Sequence, residues 1–193
     1  MPPRWRRATT PSDRIHEGTW SREIRFEGRL IRVAVDTRER PDGSAIHREI
    51  VLHPGAAAIL PVLDDGRILL VSQYRRPPDA SLWEIPAGKL ERSEEPAACA
   101  RRELREETGY EAGDLRELLS FLTTPGFSDE RITLFLARNL SRSSEPDAGE
   151  IEQCRAVALD DLVRMIASGE LRDAKTILAI EHYRASLTEE RKD

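Results

Sequence analysis

The segment from Gly88 to Tyr110 constrains the fold of this chain more than any other part of the sequence. It reads GKLERSEEPAACARRELREETGY and predicts a short helix. Pro96 is tolerated in a first helical turn, and Gly109 is a typical residue just past a helix end. Ser93 is the predicted N-cap residue. A narrow apolar stripe toward the core is predicted at three positions: Ala97, Ala100 and Leu104.

Three glutamates, Glu103, Glu106 and Glu107, share a second face of this helix because they are three and four positions apart. Like charges at this spacing repel each other by roughly a few tenths of a kcal/mol even on an exposed helix. A hard cation such as Mg²⁺ relieves the repulsion, since it takes carboxylate oxygens, waters and substrate phosphates as ligands. The alternative is a solvated face on which Arg102 pairs with Glu106, and the three glutamates alone favour this alternative.

The complete spacing of the segment favours the metal site over the solvated helix face. Gly-x5-Glu-x7-Arg-Glu-Leu-x-Glu-Glu-x-Gly fixes eight positions. At about one in ten for each position, a chance match is on the order of 10⁻⁸ per starting residue. This pattern is the Nudix box, and the sequence therefore resembles the Nudix hydrolases, with Tyr110 in place of the family's usual aliphatic residue. The resemblance implies an α/β/α sandwich that hydrolyses nucleoside diphosphates linked to another moiety.

The resemblance also implies roles for the residues of the box. It gives metal ligands at four positions: the Ala87 backbone carbonyl, Glu103, Glu106 and Glu107. Arg102 holds the cluster by ion pairing and joins Glu106 in the catalytic set, while Glu94 supports the loop before the helix. The implied cofactor is Mg²⁺, with Mn²⁺ as its substitute. Such metals neutralise a diphosphate and lower the pKa of a bound water, which then attacks at neutral pH.

Two stretches before the box resemble the ADP-ribose pyrophosphatase branch of the family. They are SQYRRP, which begins at Ser72, and LWEIPAG, which ends at Gly88. Arg75 ends a predicted strand that leads to the box, and its planar fork suits bidentate phosphate binding. An ordinary arginine at a strand end is the alternative reading.

The loop PGFSDE after the box carries a third likeness to that branch. Gly126 allows a ligand to approach the backbone closely, and Glu130 can accept hydrogen bonds from ribose hydroxyls. A tight turn between two strands is the alternative reading of the same residues.

The stretch IHREI, residues 46–50, carries a further likeness. In the enzymes that it resembles, an Arg-Glu pair at this place reaches the adenine end of a ligand held by the other subunit, because N-terminal strands are exchanged across a homodimer. The resemblance therefore assigns Arg48 and Glu49 to substrate binding, with Leu30 packing against the base. It also implies a homodimer.

Acidic residues that follow a Ser-rich loop are candidates for the general base. In the family, this base comes from a mobile acidic loop at about this place, so the resemblance points first to Glu150 and second to Glu152. A base on a loop fits a lid that closes on the substrate and excludes water. A solvated acid is the alternative for either residue, because Glu145 and Asp147 lie nearby.

Hydrophobic patterns divide the chain into three parts. Residues 1–16 are basic and lack a long apolar segment, which predicts a flexible tail and no signal peptide. Residues 17–53 predict an antiparallel strand unit that is too small to hold a core alone. Residues 54–193 predict an α/β (α+β) fold with helices beside a mixed sheet, and the resemblance implies that this part is the Nudix domain. Within it, strands are predicted at 115–123 and 131–137, and loops at 77–88 and 139–149.

Composition excludes several classes of function. The 193 residues carry a net charge of −5, which gives no reason to expect nucleic-acid binding. No apolar run approaches the length of a membrane span. Cys99 and Cys154 do not make a disulfide framework, and a reducing cytoplasm is the simpler assignment.

The function implied by the resemblance is Mg²⁺-dependent hydrolysis of ADP-ribose, or of a related ADP-sugar, to AMP and the sugar phosphate. GDP-mannose and ADP-glucose remain alternative substrates, because the box residues contact only the diphosphate. A module that senses ADP-ribose without turnover is an alternative of another class. The intact set of box glutamates argues against it, since a pure binder has no use for a metal cluster that activates water.

Overall fold

The computed structural model describes residues 19–146, 149 and 151–190, and the chain divides into two compact units. The first unit contains the described part of Met1–His53 together with the loop Thr124–Asp129. The second contains Pro54–Thr123 and the described part of Glu130–Asp193. The predicted tail at 1–16 lies outside the described residues, and so does Glu150.

The described part of the first unit contains an antiparallel sheet of three strands, as the sequence predicts. These strands are β1 (Ser21–Glu27), β2 (Arg32–Glu39) and β3 (Ala45–Leu52), in spatial order β1-β2-β3. The loop Thr124–Asp129 joins this unit through β3, where the Val51 N–H donates to the Phe127 carbonyl at 2.7 Å. The Asp129 carboxylate also accepts a hydrogen bond from the His53 N–H at 2.8 Å. Sequence reasoning places this loop with residues 54–193, whereas its backbone pairs with the N-terminal strands.

The described residues of the second unit form seven strands in two sheets: β4 (Ala56–Pro61), β5 (Ile68–Arg75), β6 (Ala80–Glu84), β7 (Ala87–Lys89), β8 (Tyr110–Leu122), β9 (Arg131–Arg142) and β10 (Ile151–Val157). One sheet has the order β7-β4-β9-β8, with β4 parallel to β9 and the other pairs antiparallel. The predicted mixed sheet is therefore confirmed. The other sheet, β10-β5-β6, is antiparallel.

Strand prediction fails where the apolar signal is short or absent. β6 and β7 lie inside the predicted loop at 77–88, because each is short and Pro86 separates them. The hairpin of β8 and β9 extends beyond its predicted ends, to Tyr110 and Arg142. Its outer residues are mostly polar and exposed, so their backbone pairing leaves little hydrophobic pattern in the sequence.

The helices are α1 (Pro96–Thr108), α2 (Leu159–Ser168) and α3 (Ala174–Glu190). Successive side chains of β4 point to opposite faces and so enter two cores. Ala57 and Ile59 pack with residues of α1: Cys99, Ala100 and Leu104. Ala58 and Leu60 pack with residues of α2 and α3: Leu162, Met165, Ile180 and Tyr183. The predicted α/β/α sandwich is confirmed, and no helix of the described chain has the length and apolarity to cross a bilayer.

Candidate active site

The loop before α1 is shaped by Glu94, and Ser93 has no capping role in it. Ser93 adopts a left-handed φ of 64°, and the N-cap position falls on Glu95, which makes no side-chain cap hydrogen bond. The predicted cap is wrong because an N-cap residue needs an extended backbone before the first turn. The Glu94 carboxylate instead accepts the Glu91 N–H at 2.9 Å, which closes the loop on itself.

Arg102 ties this loop to the helix face that carries the glutamates. Its Nε and Nη2 both donate to Glu94 at 3.0 Å. Its Nη1 donates to Glu103 at 2.6 Å and to Glu106 at 3.1 Å. Hydrogen bonding to Arg102 lowers the pKa of Glu94 to about 2, so the pair stays ionised over the neutral range. The loop and the helix are thereby held together by one guanidinium group.

Glu107 is the most buried of the three box glutamates, at 8% exposure. Its Oε2 accepts the Ala87 N–H of β7 at 3.1 Å. Burial raises the pKa of Glu107 to about 8, and the negative charge of Glu103 adds to the shift. Burial also raises the pKa of Glu103, against the opposing effect of Arg102. Glu103 and Glu107 therefore lie close together, and the positive charge around them is too small to offset burial and keep the pKa of either carboxyl at its ordinary value.

Gly88 leaves the space that the Glu103 carboxylate occupies. A Cβ atom built on Gly88 would lie 1.8 Å from Glu103 Oε1 and 2.0 Å from its Cδ. Any larger residue at position 88 would therefore displace this carboxylate. The close approach of β7 to α1 explains why the pattern requires glycine here.

The donor atoms at this place suit a hard divalent cation. Within the described chain, no three acidic, histidine or cysteine side chains converge into a complete ligand set. Glu106 is drawn onto Arg102, at 33% side-chain exposure, which leaves Glu103 and Glu107 beside the backbone of Ala87 and Gly88. Carboxylate and carbonyl oxygens with room for further ligands are what Mg²⁺ or Mn²⁺ prefers.

Arg75, predicted to bind phosphate, is clamped by a buried carboxylate. Its Nε and Nη2 donate to the two oxygens of Glu84, each at 2.8 Å. Glu84 is 1% exposed, whereas the Arg75 side chain is 36% exposed. Arg75 also acts on the box, because its positive charge lowers the pKa of Glu107. The structure therefore brings Arg75 close enough to the glutamate pair to influence it electrostatically.

Sequence reasoning missed the residues that hold Glu84. Lys175 of α3 donates to Glu84 and forms an ion pair with Asp173 at 3.0 Å. Burial pushes the pKa of Glu84 up, but Arg75 and Lys175 outweigh burial and leave that pKa below its ordinary value. The sequence does carry one indication that Glu84 is buried and needs a partner, because it is a single charged residue between the apolar Trp83 and Ile85.

Glu152, the second candidate for the general base, lies on the face of the β10-β5-β6 sheet that is opposite to Arg75 and Glu84. Its carboxylate accepts hydrogen bonds from Ser72 at 3.1 Å and from Ser81 at 3.0 Å. Side chains alternate between faces along β5 and β6, so both serines face away from Arg75 and Glu84. Glu152 itself lies at a register shift between residues 151 and 153 of β10.

The predicted substrate residues are distributed over both units. Arg48 and Glu49 are exposed neighbours on β3, and Leu30 is 49% exposed before β2. Gly126 belongs to the loop of the first unit, and a Cβ atom there would meet no other atom within 4 Å. In the second unit, the Glu130 carboxylate accepts the Thr123 hydroxyl at 2.7 Å.

Two relatives with known descriptions are similar to this chain over most of its length. The chain is 45% identical over 171 residues to an ADP-ribose pyrophosphatase of Bacillus subtilis, covering 87% of this chain and 92% of that protein. It is 41% identical over 171 residues to a methanol dehydrogenase activator of Bacillus methanolicus, with the same two coverages.

A solved structure described as an ADP compounds hydrolase superposes with a TM-score of 0.77. It covers 90% of this chain and 95% of that chain, at 21% identity, so it supports the fold. The NUDIX domain family matches residues 52–180, which include the box, β4 to β10, α2 and the first turns of α3. With the box geometry in place and relatives of this similarity, the chain belongs to the Nudix hydrolase family.

Proposed function

We propose that this protein hydrolyses the diphosphate of ADP-ribose to AMP and ribose 5-phosphate, or that of a related ADP-sugar to AMP and the corresponding sugar phosphate, with Mg²⁺ as its cofactor. The observation that carries the proposal is the pair of half-buried Glu103 and buried Glu107, held between Arg102 and β7. When bound, the metal supplies charge neutralisation for the diphosphate and an activated water. The 45% identity to an ADP-ribose pyrophosphatase favours ADP-ribose within the family's substrates.

The chain's own residues divide the remaining work. Glu103, Glu107 and the Ala87 carbonyl hold the metal, with Glu106 as a further ligand. Arg102 fixes the position of Glu103, and Arg75 donates to a phosphate through Nη1. The rest of the substrate is contacted by Gly126 and Glu130 at the ribose, and in the homodimer proposed below Arg48 and Glu49 reach the adenine of a ligand held by the other subunit, with Leu30 packing against the base.

A panel of nucleoside diphosphate sugars tests the substrate. We expect ADP-ribose with Mg²⁺ to give the highest kcat/KM, with equal amounts of AMP and phosphomonoester released. ADP-glucose and GDP-mannose are the compared substrates, and Mn²⁺ is the compared metal. Binding of ADP-ribose without product would instead establish the sensing module. A clear preference for GDP-mannose would overturn the ADP-ribose assignment.

Activation of a methanol dehydrogenase is a second candidate, because a relative of that description is 41% identical over 87% of this chain. Adding the purified protein to a methanol dehydrogenase assay tests it. A Glu107→Gln variant in parallel shows whether any stimulation depends on the box carboxylates.

The general base is proposed to be Glu150. Replacing Glu150 by glutamine should lower kcat roughly 10²–10⁴-fold with little change in ligand Kd, because a base acts on the water and not on the ligand. Glu152→Gln is the matched control, and we expect near wild-type kcat, since Ser72 and Ser81 hold Glu152 on the other face. Calorimetry with a non-hydrolysable ADP-ribose analogue separates binding from turnover. If Glu150→Gln were fully active, the base would lie elsewhere, and Glu106 is the next residue to replace.

We also propose a cytoplasmic homodimer in which each site draws on both chains. The first unit exposes large apolar side chains, with Phe26 at 56%, Leu30 at 49% and Ile24 at 40%, which supports a partner surface. Both cysteines are free thiols, as expected in a reducing compartment.

Mixing two inactive variants tests the shared site. Arg48→Ala and Glu103→Gln chains should each be impaired alone and regain activity when combined, because one site of the heterodimer is then complete. Each variant mixed with itself is the control. A monomer by light scattering at the assay concentration would contradict the proposal.

A further inference from the structure

The start of α3 is fixed against the end of β6 by a chain of hydrogen bonds. The Ile85 N–H donates to Thr176 Oγ1 at 2.9 Å, and this hydroxyl donates to Asp173 at 2.5 Å. Asp173 also accepts the Thr176 N–H at 3.0 Å, which is the bonding pattern of an N-cap residue. Thr176 is fully buried, so these bonds hold α3 and β6 together away from water.

The fixed start of α3 places Lys175 beside Glu84. Its side chain is only 11% exposed, and its ammonium group contacts the carboxylates of both Glu84 and Asp173. An ammonium ion removed from water at this level of exposure requires such partners. Lys175, Asp173, Glu84 and Arg75 therefore form a neutral set of two cations and two anions.

Glu84 in turn determines where the Arg75 guanidinium lies. Both oxygens of the buried carboxylate are engaged by Nε and Nη2, which fixes the plane of the fork. Among the described residues, Nη1 of Arg75 has no hydrogen-bond partner. Arg75 and Lys175 both lower the pKa of Glu107, which puts the two cations within electrostatic reach of the box.

We propose that Lys175 is a positioning residue for diphosphate binding: it holds Glu84 in place, and Glu84 presents Arg75 to the substrate. The inference rests on the proposed function, because it takes Arg75 as a phosphate-binding residue. Without Lys175, Glu84 and Asp173 leave the set with a net negative charge, and Arg75 is then drawn more strongly to Glu84. An anionic diphosphate should bind less well as a result.

Replacing Lys175 by methionine keeps the aliphatic stem and removes the charge. We expect KM for ADP-ribose to rise about tenfold with kcat within about twofold of wild type, which corresponds to the loss of roughly one charge-assisted contact. Lys175→Arg should keep KM near the wild-type value, because it restores the cation. Arg184→Met, which removes an exposed ion pair with Glu181 on the same helix, is the matched control and should change neither constant.

A double-mutant cycle with Arg75→Met separates positioning from a general structural role. If Lys175 acts through Arg75, adding Lys175→Met to Arg75→Met should raise KM by less than twofold. Lys175→Gln carries the same test if the methionine variant does not fold.

Three outcomes would overturn the inference. An unchanged KM in Lys175→Met, with a raised KM in Arg75→Met, removes the role of Lys175 and leaves the proposed function standing. Full additivity of the two variants removes the coupling through Arg75. An unchanged KM in Arg75→Met removes the phosphate role of Arg75 and, with it, the role of Lys175. The proposed reaction is judged separately, by whether the wild-type protein hydrolyses ADP-ribose in the same experiment.

Discussion

We expect the replacement of Glu107 by glutamine to lower kcat for ADP-ribose by about 10³-fold or more at saturating Mg²⁺, and Glu103→Gln to do the same. Both carboxylates lie in the cluster that the proposed metal needs, and a neutral amide is a much weaker ligand. Glutamine fits each site because it keeps the shape, and its amide oxygen can still accept the Ala87 N–H at position 107. The measurement is steady-state turnover across a Mg²⁺ titration.

Glu111→Gln is the matched control, because Glu111 is an exposed glutamate just beyond α1. It should keep wild-type turnover. Glu106→Gln should lose less activity than the other two, since Arg102 already holds the Glu106 carboxylate at 3.1 Å. Near wild-type turnover in Glu103→Gln or Glu107→Gln would show that the metal-ligand assignment is wrong.

The Glu107→Gln substitution, which should lower turnover, should raise the stability of the metal-free protein. Burial raises the pKa of Glu107 from 4.5 to about 8, so the folded chain binds this proton more tightly than the unfolded chain does. Stability therefore falls as pH rises from about 4.5 to about 8. Glutamine carries no charge, so metal-free Glu107→Gln should melt at a higher temperature than wild type at pH 8. Thermal melts in a chelator should show this gain disappear near pH 4.5.

We expect the replacement of Gly88 by alanine to lower kcat about 10²-fold or more, although position 88 has no side chain to contribute. The added Cβ would lie 1.8 Å from Glu103 Oε1, so the carboxylate must move away. Misplacing a catalytic ligand by about 1 Å can cost about 10²-fold in rate. The atom displaced is the far end of a flexible side chain, so thermal stability should change little.

A double variant tests whether this loss acts through Glu103. In a Glu103→Gln background, Gly88→Ala should lower kcat by less than about threefold more, because the ligand is already lost. Lys89→Ala, which changes the exposed neighbour in β7, is the control for local disturbance. A Gly88→Ala enzyme with wild-type turnover would show that Glu103 has another productive position.

The sequence by itself determined the box helix and the set of carboxylates on it. Glu103 and Glu107 are four residues apart, so any helix through them places them on one face. Gly109 ends the helix with a left-handed φ of 75°, as its residue type predicts. These features depend on residues that are close along the chain, and local periodicity reports them directly.

Tertiary structure alone decided what surrounds those carboxylates. Lys175 meets Glu84 across 91 residues of sequence, and no local pattern encodes such a contact. Glu152 likewise meets Ser72 and Ser81, which lie 80 and 71 residues away in the sequence. The raised pKa of Glu107 likewise comes from burial, which depends on how β7 packs on α1. Spacing fixes which side chains share a helix face, whereas charge compensation and burial depend on segments that only folding brings together.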